Sequence, residues 1–298
     1  MREFRAAAVQ VAPVPGPLTP DSIAANTLHA LDRVRECYTA THADLIVLPE
    51  SVTTGFSPGC SGAQLWDLIS EVPGAQLDPY AEVAAELGIH LCLGLYRRGP
   101  QRGTVFNAAA LIGPGGDLLG RYDKTHPFYA EAAAGGGWVT PGDQVSVMDT
   151  ELGRIGMIIC FDGDYPELSR ILAVRGAEII LRPAALLRSA DIWELTSRAR
   201  AYDNHVYVIG ANATGTDAAG VHYFGNSHIV TPIGHILAKA ASHEGWVWAD
   251  LDPRLALASL TPGSNIPQGF DHLRDRNLEL IRGHISELTA PAETGFPH

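Results

Sequence analysis

Apolar residues recur along this chain in short runs broken by turn residues, and the runs alternate with amphipathic stretches from end to end. Phe4–Ala12 reads as a strand, and Thr19-Pro20-Asp21 then opens a helix with Thr19 as N-cap and Pro20 at the first helical position. Leu28, Leu31, Val34 and Tyr38 give that helix one apolar stripe. Asp44–Leu48 is an unbroken apolar run that predicts a buried strand. Asp78-Pro79 caps a second helix ending at Gly88, and the strand Ile89–Tyr96 follows. Phe106–Ile112 and Asp117–Tyr122 flank Gly113-Pro114-Gly115-Gly116, a hairpin signal. Arg154–Ile159 is a further strand, after which Asp164 and Pro166 start a helix that Gly176 terminates. Glu178–Leu181 predicts a strand and Asp191–Asn204 a helix. Val206–Ala211, Asn226–Thr231, His235–Lys239 and Trp246–Leu251 complete the strands. Hairpins mixed among crossovers predict an α/β fold with mixed sheets. Strands lacking a helix on one side imply two sheets packed face to face with helices outside, in a single domain spanning 1–298. The segment from about 253 to 298 is richer in turn residues and is expected to wrap the body or a neighbouring subunit.

Composition narrows the partners. Of 298 residues, 46% are hydrophobic and 18% charged, ordinary for a globular chain with a large core. A net charge of −12 argues against nucleic acid or an anionic membrane surface, since both favour a basic face. No apolar run approaches the roughly 18 residues of a membrane span. The N-terminal run breaks at Pro13, Pro15 and Pro17, so it predicts a first strand and not a signal peptide. Cys37, Cys60, Cys92 and Cys160 show no close pairing, which predicts reduced thiols and a cytoplasmic protein.

Three strand ends carry complementary chemistry. Leu45–Leu48 runs through Pro49 to Glu50, Leu118–Asp123 ends at Lys124, and Arg154–Ile159 ends at Cys160. A thiol held at the end of a buried strand, where a helix begins, is well sited to be a nucleophile, and the helix dipole is expected to favour its thiolate. A thiol near its reference pKa of about 8.5 is mostly protonated at neutral pH and needs a base or a positive neighbourhood. Glu50 would take the proton and Lys124 would supply the positive charge. The backbone N–H of Phe161 would join Lys124 in holding an oxyanion, as attack on an amide carbonyl or a nitrile carbon requires. Glu131, seven positions after Lys124 and ahead of the flexible run Gly135-Gly136-Gly137, allows two readings: a second carboxylate that orients Lys124, or a solvated loop residue. Other chemistries find less support. His222, His228, His235 and His243 lack ligand spacing, Asp162-Gly163-Asp164 lacks the later oxygens of a calcium loop, and Gly113–Gly116 lacks the Lys-Ser/Thr of a phosphate cradle.

With those residues in place, the chain resembles the nitrilase superfamily, the carbon–nitrogen hydrolases with a Glu-Lys-Cys triad. Leu48-Pro49-Glu50 matches the base motif, Tyr122-Asp123-Lys124-Thr125-His126 the lysine motif with Pro141-Gly142-Asp143 after it, and Cys160–Glu167 the nucleophile elbow. Arg175–Glu178, Arg198–Asn204 and Gly225-Asn226-Ser227 continue the match. The resemblance implies a four-layer α-β-β-α sandwich paired into homodimers or larger assemblies, with no cofactor and no metal. It implies a small-molecule amide as substrate, cleaved through a cysteine thioester, and a second glutamate that Glu131 would supply. Phe161-Asp162 stands where true nitrilases usually carry Trp-Glu, which favours amides over nitriles. Tyr223–Ser227 adds a likeness to aliphatic amidases and formamidases. Gly163 and Asp164 occupy the place where hydrolases of N-carbamoyl amino acids tend to carry arginine, so an N-carbamoyl or ureido substrate is the alternative. Asp162 and Asp164 suggest a neutral or cationic substrate, although Asp164 is also a natural helix N-cap. By the same resemblance Ala184, after Arg182-Pro183, is expected to touch the acyl group, with Trp138, Tyr165 and His126 nearby. Trp193 reads as a helix-face anchor. A catalytically silent binding protein is the rival of a different class, and an intact triad argues against it.

Overall fold

Along β1 (Phe4–Gln10) successive side chains enter two different interiors, and that alternation sets the layering. Ala6 and Ala8 face a second sheet, whereas Ala7 and Val9 meet helix residues Ala30, Leu31 and Val34. The chain was analysed as a computed structural model, which describes residues 1–217, 219–253 and 271–291.

Helix α1 (Pro20–Thr41) begins at a capping box in which Thr19 Oγ1 accepts from Ser22 N and Ser22 Oγ accepts from Thr19 N. Strand β2 (Leu45–Val47) follows, then α2 (Gly62–Leu68), which sequence periodicity did not anticipate, and α3 (Asp78–Leu87), stopped by Gly88 in the left-handed conformation. Strands β3 (His90–Arg98), β4 (Val105–Ile112) and β5 (Leu118–Asp123) form an antiparallel meander, with the expected hairpin between the last two. With β14 (Gly245–Leu251) they make a six-stranded sheet ordered β14-β1-β2-β3-β4-β5, in which β1, β2 and β3 run parallel.

The second half repeats the plan. Strands β6 (Val147–Thr150) and β7 (Gly153–Met157) pair antiparallel. Then come α4 (Pro166–Val174), β8 (Ile179–Ala184), α5 (Ala190–Asn204) and β9 (Tyr207–Asn212). A small hairpin of β10 (Thr214–Thr216) and β11 (His222–Phe224) precedes β12 (His228–Val230) and β13 (Ile236–Lys239). This sheet is ordered β13-β12-β9-β8-β7-β6, with β7, β8 and β9 parallel.

The sheets meet face to face. Ala6, Ala8, Val47, Cys92 and Leu111 from one share a core with Ile155, Met157, Ile179 and Leu181 from the other, and Cys92 Sγ lies 3.9 Å from Met157 Sδ across the contact. Outside, α1 and α3 cover the first sheet through Leu31, Val34, Tyr80 and Val83. Leu168, Leu172, Trp193 and Ala201 from α4 and α5 cover the second. The four-layer α-β-β-α sandwich expected from the sequence is therefore present.

Two local readings change. Asp164 does not cap α4; Tyr165 holds the N-cap position, with no side-chain bond, and Asp164 instead accepts from Arg188 at 2.5 Å. Asp78 is the first residue of α3 and Leu77 its cap. The expected tail from 253 lies partly outside the described residues, and its described part carries the helical turns Leu278–Gly283 and Ile285–Leu288. Among the described residues no helix is long and apolar enough to cross a membrane.

Candidate active site

Glu50, Lys124 and Cys160 each follow the end of a strand, and packing the two sheets brings those ends together. The turn carrying Glu50 is tied to β3 and β8, because Gly94 N donates to Pro49 O at 3.0 Å and Glu50 N to Ala184 O at 3.3 Å. Lys124 leaves β5 with its N–H still on Asn107 O of β4, at 2.8 Å. Their side chains are wholly buried and meet at 2.7 Å between Lys124 Nζ and Glu50 Oε1.

Glu131 completes this set. Its Oε1 lies in close ion-pair contact with Lys124 Nζ, and its side chain is fully buried. Asn107 Nδ2, a residue that motif reading passed over, donates to Glu50 Oε1 at 2.7 Å and to Glu131 Oε2 at 3.0 Å. Tyr96 OH reaches Glu131 Oε2 at 3.4 Å. The solvated-loop reading of Glu131 thus fails on burial. The run Gly135-Gly136-Gly137 is not a loose spacer either: a Cβ at Gly137 would fall on the Glu131 backbone. The Glu131 turn closes on itself through Phe128 N to Glu131 Oε1 at 2.9 Å and Val139 N to Glu131 O at 2.8 Å.

One cation between two buried carboxylates sets the electrostatics. Burial opposes the charge on Lys124, but Glu131 and Glu50 outweigh it and hold the ammonium well above its ordinary pKa. Burial pushes Glu131 up against the pull of Lys124, and Glu50 adds to the push. Cys160 departs from the sequence expectation of a favoured thiolate. Burial raises its pKa first and the Glu50 charge raises it further, while Lys124 and Arg182 pull the other way without prevailing. The resting group is therefore a thiol whose ionisation the Glu50 charge opposes.

Cys160 opens a short 3-10 turn, Cys160–Asp164, and sits at φ 47°, a conformation rare for a residue with a side chain. Two neighbours hold it there. Arg182, fully buried on β8, donates through Nε and Nη2 to Cys160 O at 3.0 and 2.7 Å, and through Nη1 to Thr196 and Ser197 at 2.9 Å. Burial lowers its pKa to about 10, which still leaves it charged at neutral pH. A Cβ at Gly163 would collide with that guanidinium, so glycine is required by close approach. Replacing Arg182 with methionine should lower the stability by roughly 3 kcal/mol, because buried acceptors then lose a charged donor. Thermal unfolding checks this, with Arg182→Lys expected to lose less.

Asp162 is the second clamp. Its Oδ2 accepts from Ile159 N at 2.9 Å and Tyr122 OH at 2.8 Å, and its Oδ1 from His126 N at 3.0 Å. The Cys160 turn is thereby fastened to the residues on both sides of Lys124. Asp162 is engaged by these bonds, whereas Asp164 accepts from Arg188 through Oδ2 alone.

The cavity at Cys160 is lined by Phe56, Phe128, Phe161, Ala185, Leu186, Leu187 and Arg188. Phe161 contributes its ring, with Phe128 edge-on at 5.4 Å and the Arg188 guanidinium 5.2 Å above it, as well as its backbone. The other expected contacts fall elsewhere. His126 stacks on Tyr165 at 3.9 Å, and Tyr165 meets Phe161 edge-on at 5.3 Å, so both sit behind the lining. Trp138 packs against Tyr96 at 6.2 Å in a separate cluster with Leu65, Val105 and Val139. Ala184 points into the inter-sheet core, and the next residue, Ala185, lines the cavity and donates its N–H to Glu50 Oε2 at 2.7 Å. Strand alternation makes that one-residue difference decisive. Trp193 is an anchor as read, fully buried, with Nε1 on Asn226 O at 2.8 Å.

Comparison with known proteins identifies the family. The family model for carbon–nitrogen hydrolases matches residues 5–258. Human omega-amidase NIT2 is 34% identical over 238 residues, covering 76% of this chain and 83% of that protein. The crystal structure of an amidase from Nesterenkonia sp. superposes with a TM-score of 0.76 at 26% identity, covering 94% of this chain and 95% of that one. A mutant of that amidase, described as showing Michael addition of acrylamide at its active-site cysteine, superposes at 0.77 with 25% identity, covering 94% and 99%.

Proposed function

The chain belongs to the carbon–nitrogen hydrolase family, and from that premise we propose that it hydrolyses a small carboxamide to the acid and ammonia through a thioester on Cys160. The carrying observation is a buried thiol at a cavity whose wall residue Ala185 donates its N–H to Glu50, with Glu50 itself paired to the Lys124 ammonium; burial and the Glu50 charge both raise the pKa of that thiol. Such a thiol attacks only as its proton leaves, and Glu50 is the group in place to take it. As sulfur bonds to the carbonyl carbon, the oxygen gains charge that Lys124 and the Phe161 N–H stabilise. Glu50 returns the proton to the departing nitrogen, the C–N bond breaks and ammonia leaves. Water then gives a proton to Glu50 and attacks the thioester; the C–S bond breaks and sulfur recovers the proton. Glu131 and Asn107 position Lys124 and Glu50 throughout. The Nesterenkonia mutant with acrylamide on its cysteine supports the sulfur as the site of covalent chemistry.

The lining also favours a substrate with an anionic end. Arg188 is the charged side chain at the Cys160 cavity, and Asp164 is its partner at 2.5 Å. A substrate carboxylate would compete for the same guanidinium, which suits omega-amides and N-carbamoyl amino acids better than a cation. Exposed Ile171, Val174, Leu195 and Tyr202 on α4 and α5 support pairing with a second copy, and four free cysteines support a reducing, cytoplasmic setting.

The test is acylation. Incubation with a panel of small amides should release ammonia, leave the acyl mass on Cys160 in the intact-protein spectrum, and yield the matching hydroxamate when hydroxylamine is added. Carbon dioxide released together with ammonia would assign the N-carbamoyl alternative. A protein that takes up no acyl group from any amide would sink the mechanism.

A further inference from the structure

Ammonia must give way to water beside Glu50 between the two half-reactions, yet Glu50 is only 2% exposed. The Cys160 cavity offers little help. It leaves about 10 Å³ in which a water centre fits, at the lower limit of roughly 10–15 Å³ for one molecule. An acyl group on sulfur would fill that space and leave no room beside it for water.

A second cavity is lined by Glu50 itself, which is absent from the lining of the Cys160 cavity. Val11, Pro13, Val52, Gly55, Ala213 and Tyr223 help to bound it, and it leaves about 20 Å³ for water centres, enough for one molecule. The two cavities share Phe56 and Ala185 as walls. Tyr223 is fixed in this wall by its hydroxyl, which donates to Asp217 Oδ2 at 2.6 Å. The hydrogen bonds of Glu50 single out one oxygen. Oε1 accepts from both Lys124 and Asn107, whereas Oε2 accepts from Ala185 N, so Oε2 keeps a lone pair for a small molecule.

We propose that this Glu50-side cavity is a port for water, admitting the hydrolytic molecule while the acyl group fills the Cys160 side. The proposal rests on the amidase reading above. Water entering by the port gives its proton to Glu50 Oε2 as its oxygen bonds to the thioester carbon; the C–S bond breaks and Glu50 returns the proton to sulfur. Acylation, which needs no water, is indifferent to the port in a first turnover.

Filling the port tests this. Ala213 lines it and is absent from the lining of the Cys160 cavity. In Ala213→Leu, the first turnover should still release about one ammonia per site as a burst. Steady turnover should fall on the order of tenfold or more, and the acyl-enzyme mass should accumulate. Ala213→Val should give a smaller effect in the same direction, and it carries the test if the leucine variant does not fold. Unchanged steady turnover without accumulation overturns the port, as does equal slowing of both phases, which marks general damage to the site. A wild-type protein that never acylates overturns the amidase reading and the port with it, whereas a wild type that turns over beside a variant that accumulates nothing overturns the port alone.

Discussion

Replacing Cys160 with alanine should remove ammonia release from every amide the wild-type protein hydrolyses, a loss on the order of 10⁴–10⁶ in kcat. No other group among the described lining residues of that cavity is a nucleophile. The ion pairs of Lys124 with Glu50 and Glu131 do not involve the sulfur, so the variant should keep its fold and its unfolding temperature within a few degrees. Cys160→Ser should be nearly as inactive, because a hydroxyl in the same site resists ionisation more than a thiol. Ammonia assays on both variants, with thermal unfolding as the control, check the expectation. Appreciable turnover by the alanine variant would transfer the chemistry from sulfur to water directly.

Glu50→Gln should cost on the order of 10²–10⁴ in turnover, the contribution typical of a positioned acid–base group. The amide cannot serve either half-reaction. It also faces a donor conflict: with its oxygen kept toward Lys124 and Asn107, its NH2 points at Ala185 N, which had been donating to the carboxylate. The more discriminating readout is the pH dependence of iodoacetamide alkylation at Cys160. Burial, then the Glu50 charge, holds that thiol above its ordinary pKa. Removing a negative neighbour stabilises the thiolate, so the alkylation profile should move to lower pH in Glu50→Gln while amide hydrolysis is lost. A profile that stays put or moves upward would mean that the carboxylate does not act on the thiol.

Much of this arrangement was legible in the chain because strand ends project into one crevice and their terminal residues are named by position. Glu50, Lys124 and Cys160 could be read that way, and the two-sheet layering followed from strands that lack a helix on one side. What escaped detection depends on contacts across the sheet. Asn107 lies mid-strand in an apolar run, Arg182 looked like a loop residue, and Asp162 looked like a substrate selector until its partners from β5 and the following turn were seen. The lining residues were the hardest. Ala184 and Ala185 differ by one position on an alternating backbone, and Trp138 is turned toward Tyr96 by the pairing of Val139 with Val105 and Ala132. Helix α2 has a capping box at Ser61 and Gln64, but it spans seven residues, too few for a periodic signal.

The bonds gathered by Asp162 bear on any attempt to build chimeras of this enzyme. A nucleophile segment grafted from a distant relative would bring its own carboxylate into a buried site where Ile159 N, Tyr122, Thr125 and His126 meet it. Transplanting 160–167 alone would strand an acceptor, whereas exchanging 122–126 along with it moves a matched pair. Recombination boundaries for this scaffold therefore belong outside both segments, because stretches nearly forty residues apart in the chain behave as one inheritable unit.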